Sequence, residues 1–311
     1  MRLEEISNFM KRSYLYKSVV FIIYLVLYNY ALSREYLWSM EQDYLHSNLS
    51  VYKMVGLDKV NISSDKMVTI GIIDTGIDLN NPLLSKFITN GVNLVENDKP
   101  TDDNGHGTQI SSLISSFFWY AHCPANLRII PIKAVKGNGT CSTDNITEGI
   151  YQAVRRGANI INLSIETYVD SFNLRKAVEY AESKRVLVVA SIGNQSISVG
   201  YPAAYPSVLA IGGVTEDKAR AIYSNSGAEV DLVAPSKVYA FTLDSSYKEY
   251  NGTSLAAAQV SAAAGLVLLK YPELEPDQVR DIICLHTEDV GPYGRDDQTG
   301  YGLLRLDYIF R

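Results

Sequence analysis

Cysteine is scarce in this chain. There are three in 311 residues, Cys123, Cys141 and Cys284, and none stand in CxxC spacing. That speaks against a zinc site. The number is odd, so at least one thiol has no partner within the chain, while spacing leaves a Cys123–Cys141 bridge open. Cys284, in Val279-Arg280-Asp281-Ile282-Ile283-Cys284, reads as a small buried hydrophobe on a helix. Basic charge is short as well. Lys plus Arg number 28 against 34 Asp plus Glu, a formal charge of −6. This mildly acidic balance speaks against a nucleic-acid partner, which calls for a basic patch. Low-complexity runs and repeats of solenoid period are missing too. What is present, 47% hydrophobic and 20% charged residues, suits one large globular domain plus a short extra segment.

The extra segment is N-terminal. Lys11, Arg12 and Lys17 precede an uncharged, mostly apolar run from Ser18 to Ser33. A basic flank followed by an apolar stretch is an export-signal pattern, and Ala31 and Ser33 put small residues where a signal peptidase would cut. The run is slightly short for a full span, although Tyr24, Tyr28 and Tyr30 suit a membrane interface. Three readings stay open for residues 1–33: a cleaved signal, an uncleaved anchor, or a helix packed on the domain. The first two place everything after Arg34 outside the cytoplasm. Export, with membrane association through residues 18–33, is therefore expected. Residues 34–66 are polar and mixed, and read as a helix-rich connector ahead of a main domain at 67–311.

From Met67 the pattern changes. Met67-Val68-Thr69-Ile70-Gly71-Ile72-Ile73 is an unbroken apolar run of strand length, and similar runs stand at 127–135, 159–163, 186–190 and 208–211. Such runs mark strands covered on both faces. Between them Asp144 to Arg156 and Phe172 to Ser183 carry apolar residues on one helical face. The alternation predicts an α/β domain of three layers, a mostly parallel central sheet with helices on both faces. In such sheets the ligand cleft lies beyond the carboxyl ends of the strands. Asp74, Ser164 and Asn194 each follow a strand, while His106 and Ser254 each open a helix. All five should converge on one edge.

Three short glycine-flanked segments carry the chemistry: Ile73-Asp74-Thr75-Gly76, Asn104-Gly105-His106-Gly107-Thr108 and Asn251-Gly252-Thr253-Ser254-Leu255-Ala256. Each offers one member of a carboxylate, imidazole and hydroxyl set. A serine hydroxyl is a poor nucleophile at neutral pH; a histidine must take its proton, and a carboxylate must hold that histidine in the right tautomer. Taken singly, Asp74 is a turn carboxylate, His106 a turn histidine and Ser254 a helix cap. Together they form a catalytic set. Asn194, in Ala190-Ser191-Ile192-Gly193-Asn194, adds an N–H that can meet an oxygen turning negative.

With these residues in view the chain resembles the subtilisin-like serine proteases (subtilases) from about Val68 to Tyr308. The likeness also includes Asn162-Leu163-Ser164, Gly200-Tyr201-Pro202-Ala203, Tyr223-Ser224-Asn225-Ser226-Gly227 and Gly300-Tyr301-Gly302-Leu303. It implies Ser254 as nucleophile, His106 as general base and then acid, and Asp74 as its orienting partner. It implies Asn194 and the Ser254 amide as the oxyanion hole. A peptide or protein substrate would lie extended between Lys136-Gly137-Asn138-Gly139 and Leu163-Ser164-Ile165, by strand addition, with Glu166, Gln195 and Gly200 also in the binding set.

The departures are informative. Leu255 stands where the family usually has Met, and the family's Pro near Ala258 is missing. After His106 the segment Ser115-Ser116-Phe117-Phe118-Trp119-Tyr120-Ala121 lacks the oxygen ligands of the family's calcium loop. No strong calcium site, no other metal and no cofactor are expected. Glu166 stands where the family pattern has Gly, next to the pocket for the residue before the cut, where a carboxylate would favour Lys or Arg. Against this stands a plain solvated loop glutamate. The connector is too short for the usual folding prodomain. Expected substrates are a secreted precursor, such as a lanthipeptide or bacteriocin carrying its leader, or else proteins degraded broadly. A binding protein that has lost catalysis is the rival from another class.

Overall fold

The computed structural model describes residues 3–96 and 98–311, with helix side chains described from residue 22 onward. The chain divides into two compact units, one ending at His46 and one running from Ser47 to Arg311. The first is built of helix α1 (Leu3–Ser47), which runs without a break through the apolar stretch and the polar stretch that follows. Lys11, Arg12, Lys17 and the start of the apolar stretch lie outside the described side chains. Beyond them Ile22, Ile23, Tyr24, Val26, Leu27 and Tyr30 are all exposed. Residues 34–66, read from the sequence as a connector, divide between the units. Those up to Ser47 continue α1, and the rest pack into the second unit.

That second unit opens with α2 (Leu49–Met54), whose neighbourhood is apolar enough to join the core: Val51, Tyr52, Val55 and Leu57 are buried. The elements then run β1 (Val68–Asp74), β2 (Val92–Asn93), α3 (His106–Tyr120), β3 (Leu127–Lys133), α4 (Thr143–Arg155), β4 (Ile160–Leu163) and α5 (Phe172–Ser183). After these come β5 (Leu187–Ser191), β6 (Val208–Val214), β7 (Leu232–Pro235), β8 (Lys237–Phe241), β9 (Tyr247–Asn251) and α6 (Thr253–Lys270). The chain closes with α7 (Pro276–Leu285), β10 (Thr287–Glu288), β11 (Leu303–Leu304) and α8 (Leu306–Ile309). Among the described residues, nine strands form one sheet in the order β10-β11-β7-β6-β5-β4-β1-β3-β2. Every pairing is parallel except β10 with β11. β8 and β9 make a separate antiparallel hairpin.

The long apolar runs become strands because both faces of the sheet are covered. Gly71 and Ile73 of β1 face α4: a Cβ on Gly71 would meet Ala153, and one on Gly149 would meet Ile73. Val68, an odd number of residues from both, faces the other side, where a Cβ on Gly265 of α6 would meet it together with Phe118 of α3. Ser142 and Ser171 cap α4 and α5 by accepting from Asn145 N–H and Leu174 N–H. Each fully buried Ile or Val contributes about 1.5–3 kcal/mol of transfer free energy. The small residues of α6 let it cross behind β1, β4, β5, β6 and β7 and lie against α3. It is the one helix among those described that is long and apolar enough to cross a membrane, and it is 89% buried within the domain.

All three cysteines are free thiols. Burial pushes Cys123 and Cys284 up to about 12, and burial followed by the charge of Asp74 pushes Cys141 up to about 11. Cys284 lies buried on α7, as its sequence setting predicts.

Candidate active site

β1 ends on Asp74, and its register partner at the end of β3 is Lys133. The Asp74 carboxylate is 1% exposed. It accepts the Thr75 N–H at 2.7 Å, and His106 Nδ1 lies 2.8 and 3.0 Å from its two oxygens. His106 is the first residue of α3. It reaches Asp74 because of the glycines beside it. Gly105 has φ of 107°, and Gly107 lies so close to β1 that a Cβ would come within 2.0 Å of the Gly76 carbonyl oxygen. Burial alone pulls the His106 pKa down; the charge and hydrogen bond of Asp74 push it up, with a smaller push from Asp102, and the net lies above 6.5.

A second carboxylate builds the turn that carries His106. Asp102 is 6% exposed and accepts five hydrogen bonds. Its Oδ1 takes Thr75 Oγ1–H (2.8 Å), Asn104 N–H (3.0 Å) and Gly105 N–H (2.8 Å). Its Oδ2 takes Thr108 N–H (2.9 Å) and Thr108 Oγ1–H (2.6 Å). Thr75 Oγ1 in turn accepts Gly107 N–H at 2.9 Å. Buried Lys133 donates to Thr75 O (2.7 Å), Asp103 Oδ1 (2.5 Å) and Val135 O (3.3 Å). Sequence reasoning missed Asp102, Thr75 and Lys133 in these roles. The signal for Lys133 was a charge near the far end of the apolar run 127–135, which otherwise carries only Arg128 at its start.

Ser254 lies in the first turn of α6, and Gly252 holds the cap position without a side-chain bond. The Ser254 hydroxyl therefore is not a helix cap. It faces the Ser164 carbonyl at 3.5 Å, while Ser164 Oγ donates to the Ser254 carbonyl at 3.2 Å. The described hydrogen bonds of Ser254 do not include one to His106; such contacts are often loose until substrate is bound. Asn194 Oδ1 accepts Thr253 N–H (2.9 Å) and Thr253 Oγ1–H (3.1 Å). An N–H can only donate, so the amide orientation is forced and Nδ2 is left over as a free donor. In the same first turn Thr253 N–H is taken by Asn194 and Leu255 N–H by Gly252 O, which leaves the Ser254 N–H.

A cleft of about 320 Å³ is lined by Asp74, Thr75, Asn104, His106, Gly139, Ser164, Ile165 and Glu166. Gly137 is set back from it. The Gly137 carbonyl accepts Asn104 Nδ2 (2.9 Å), and residues 136–140 close a turn in which Lys136 N–H reaches Thr140 O and Gly139 N–H reaches Lys136 O. A turn with its backbone groups used internally is not the extended strand expected at 136–139, so Gly139 is the glycine of this segment open to a substrate. Gln195 meets the cleft through Glu166 (2.6 Å), and Gly200 lies behind Glu166 and Tyr168. A larger cleft of about 600 Å³, lined by Arg175, Tyr205 and Arg280 among others, contains none of these residues.

The sequence profile of the subtilase family matches residues 65–302. Subtilisin DY of Bacillus licheniformis is 34% identical over 250 residues, covering 76% of this chain and 90% of its own length. Subtilisin E of Bacillus subtilis (strain 168) is 33% identical over 251 residues, 77% of this chain but 64% of its own, so this chain spans just under two thirds of that relative. Among solved structures, a cold adapted subtilisin-like serine proteinase superposes with a TM-score of 0.71 at 26% identity, covering 80% of this chain and 97% of that one. A lanthipeptide protease gives 0.74 at 24% identity, covering 86% and 94%, a likeness of fold. Fold, cleft and relatives define a serine endopeptidase. The chain belongs to the subtilase family.

Replacing Asp102 by Asn turns two of the acceptor sites facing N–H and O–H donors into donors. Buried donors left unpaired cost about 1–3 kcal/mol. D102N is therefore expected to lower the unfolding midpoint by that amount of stability in denaturant titration and to depress kcat more than it raises KM. An unchanged midpoint with unchanged kcat would show that the five hydrogen bonds do not hold His106 in place.

Proposed function

We propose that this subtilase is an exported endopeptidase that cleaves peptide bonds through an acyl-enzyme on Ser254. The observation that carries the reading is the His106 Nδ1 contact to buried Asp74 at 2.8 Å. It fixes the tautomer, leaving Nε2 of His106 as the base. Ser254 Oγ attacks the scissile carbonyl and its proton passes to Nε2. Asp74 stays ionised and stabilises the imidazolium. Asn194 Nδ2 and the Ser254 N–H receive the negative oxygen; losing one such donor costs on the order of 10²–10³ in kcat, a figure measured on subtilisin itself, a relative of this chain. The imidazolium then protonates the leaving amine, and water repeats the sequence to release the acyl half. All four positions carry the required groups, which weighs against a binding protein without catalysis.

Two finer parts belong to the same reading. The first is the place of action. Successive apolar residues from Ile22 to Leu27 are exposed in every direction around α1, and no single packing face could cover them. This supports membrane association and export through residues 18–33. Flotation of the full chain with lipid vesicles, lost on removal of residues 1–33, is the expected result; equal behaviour of the two forms would remove the anchor. The second is the substrate. The fold shared with a lanthipeptide protease makes a secreted precursor peptide carrying its leader the first substrate to try. Rapid, single-site cutting of such a precursor with little action on denatured casein is expected, and the reverse would favour broad degradation.

A fluorophosphonate probe tests the mechanism directly. It is expected to label the wild-type chain covalently and to leave Ser254→Ala unlabelled. Labelling of the Ala variant would move the nucleophile elsewhere. The neutral imidazole is the base, so activity should fall with acid along a limb whose apparent pKa lies above 6.5. Stability runs the opposite way: a raised folded-state pKa means the charged pair stabilises fully below 6.5 and is lost as pH climbs through the folded value. In Asp74→Asn the limb should shift down and kcat drop by roughly 10⁴. A limb at or below 6.5 in the wild type would contradict the role given to Asp74.

A further inference from the structure

Glu166 is not a solvated loop residue. Its Oε1 accepts Gln195 Nε2–H at 2.6 Å and its Oε2 faces the Tyr168 hydroxyl at 3.1 Å. Both supports are themselves held. Gln195 Oε1 accepts the Asn194 N–H (3.0 Å) and lies 2.6 Å from the Tyr168 hydroxyl, and the Tyr168 hydroxyl oxygen accepts Nδ2–H of fully buried Asn225 (3.0 Å). The carboxylate rests on bare backbone: a Cβ on Gly193 would come 1.8 Å from Oε2, and one on Gly200 would come 3.3 Å from the Glu166 Cβ. Glycine at 193 makes the space that this carboxylate occupies, and glycine at 200 leaves room beside its Cβ. Tyr168 carries one hydroxyl proton to share between Glu166 and Gln195, so every group that holds the charge is neutral. Among the described residues Glu166 forms no ion pair with Lys, Arg or His.

The carboxylate is therefore oriented, half-buried and without a counter-ion among the described residues, and it is held by Gln195, the neighbour of Asn194. Each oxygen keeps a free lone pair. The leaving amine must face His106, which protonates it, so the acyl half of the substrate extends the other way, past Asn194 toward Ser164-Ile165-Glu166. We propose that Glu166 selects the residue on the amino side of the cleaved bond, and that this protease takes Arg or Lys there. An arriving cation supplies the one partner the network lacks, and it finds a carboxylate whose rotamer entropy is already spent. Arg fits better than Lys, because its planar fork can meet both oxygens. The inference rests on the active-site reading above and names the substrate class of that site.

The test uses the full chain and internally quenched peptides that differ only at the residue before the cut. Citrulline in place of Arg keeps shape and removes charge, so it needs no variant that might fold poorly. Arg is expected to exceed citrulline, Gln and Leu by roughly tenfold or more in kcat/KM, the size of a desolvated charge pair. The ratio should shrink toward one in Glu166→Gln and fall partway in Glu166→Asp, which keeps the charge on a shorter stem. Fluorophosphonate labelling of the wild-type chain reads the nucleophile separately from the preference for the residue before the cut. Equal rates for Arg and citrulline in the wild type, or an unchanged ratio in E166Q, would overturn the proposal while leaving the active site in place. Wild-type protein that takes no label at all would instead overturn the active-site reading, and the specificity with it.

Discussion

The carboxylate of Asp74 is almost wholly removed from water, and much of the domain is arranged to make that tolerable. Desolvating an ionised group costs several kcal/mol unless hydrogen bonds and an opposite charge offset it. Here the offsets are the Thr75 N–H and the His106 ring, both within 3.0 Å. Each is available only because of something further away. The Thr75 amide is fixed by the end of β1, a central strand with β3 on one side and β4 on the other. The ring is fixed by the start of α3. Movement of either would leave a buried charge unpaired, a greater loss than the pair itself contributes.

Asp102, Thr75 and Lys133 explain why neither moves. Asp102 gathers the amides of the turn before His106 onto one carboxylate, and Thr75 ties that cluster to the residue after Asp74. Lys133 reaches the same Thr75 from β3 and also holds Asp103 of the turn. Strand β1, strand β3 and the His106 turn thus share one network of two acids, two hydroxyls and one ammonium. Such a network is fully satisfied or costly, with little in between. It also sets the electrostatics: the neighbouring acids outweigh the desolvation of the imidazole and carry its pKa upward.

How much of this was legible in the sequence follows from where each signal lives. β1, β3, β4, β5 and β6 showed themselves because both of their faces are covered, so their residues are apolar without alternation. β9 did not, because its burial runs half-exposed and polar, Tyr247-Lys248-Glu249-Tyr250-Asn251, in a hairpin packed outside the sheet. β2, β10 and β11 are two residues each, too short for any periodicity. The continuous α1 was hidden because its second half is polar and resembles a connector. Asp74, His106, Ser254 and Asn194 could be picked out by their glycine settings and strand ends. The role of Asp102 could not, since its five partners are mostly backbone and come together only when β1 and α3 meet. Gly137 misled for a related reason: Gly-Asn-Gly reads as open backbone, and the Asn104 side chain that occupies its carbonyl comes from another loop.

The two helices that carry His106 and Ser254 answer a different demand. α3 and α6 pack against each other, and each delivers its functional residue from its first turn, where the unpaired N–H groups and the positive end of the dipole lie. For His106 this is a cost, since a positive dipole end disfavours imidazolium, and the acids around it must overcome that as well as burial. For Ser254, in the nucleophilic role proposed for it, this is a gain, since both the attacking oxygen and the carbonyl oxygen would become negative there. Asn194 sharpens the gain. By taking the Thr253 N–H it orients its own amide, and it leaves the Ser254 N–H as the free donor of the turn beside its own Nδ2. In the proposed oxyanion hole two donors would thus be set before any substrate arrives, so little reorganisation would remain for the moment when charge develops. The sheet edge supplies position, the helix termini supply field, and the same packing of α6 behind the sheet secures both.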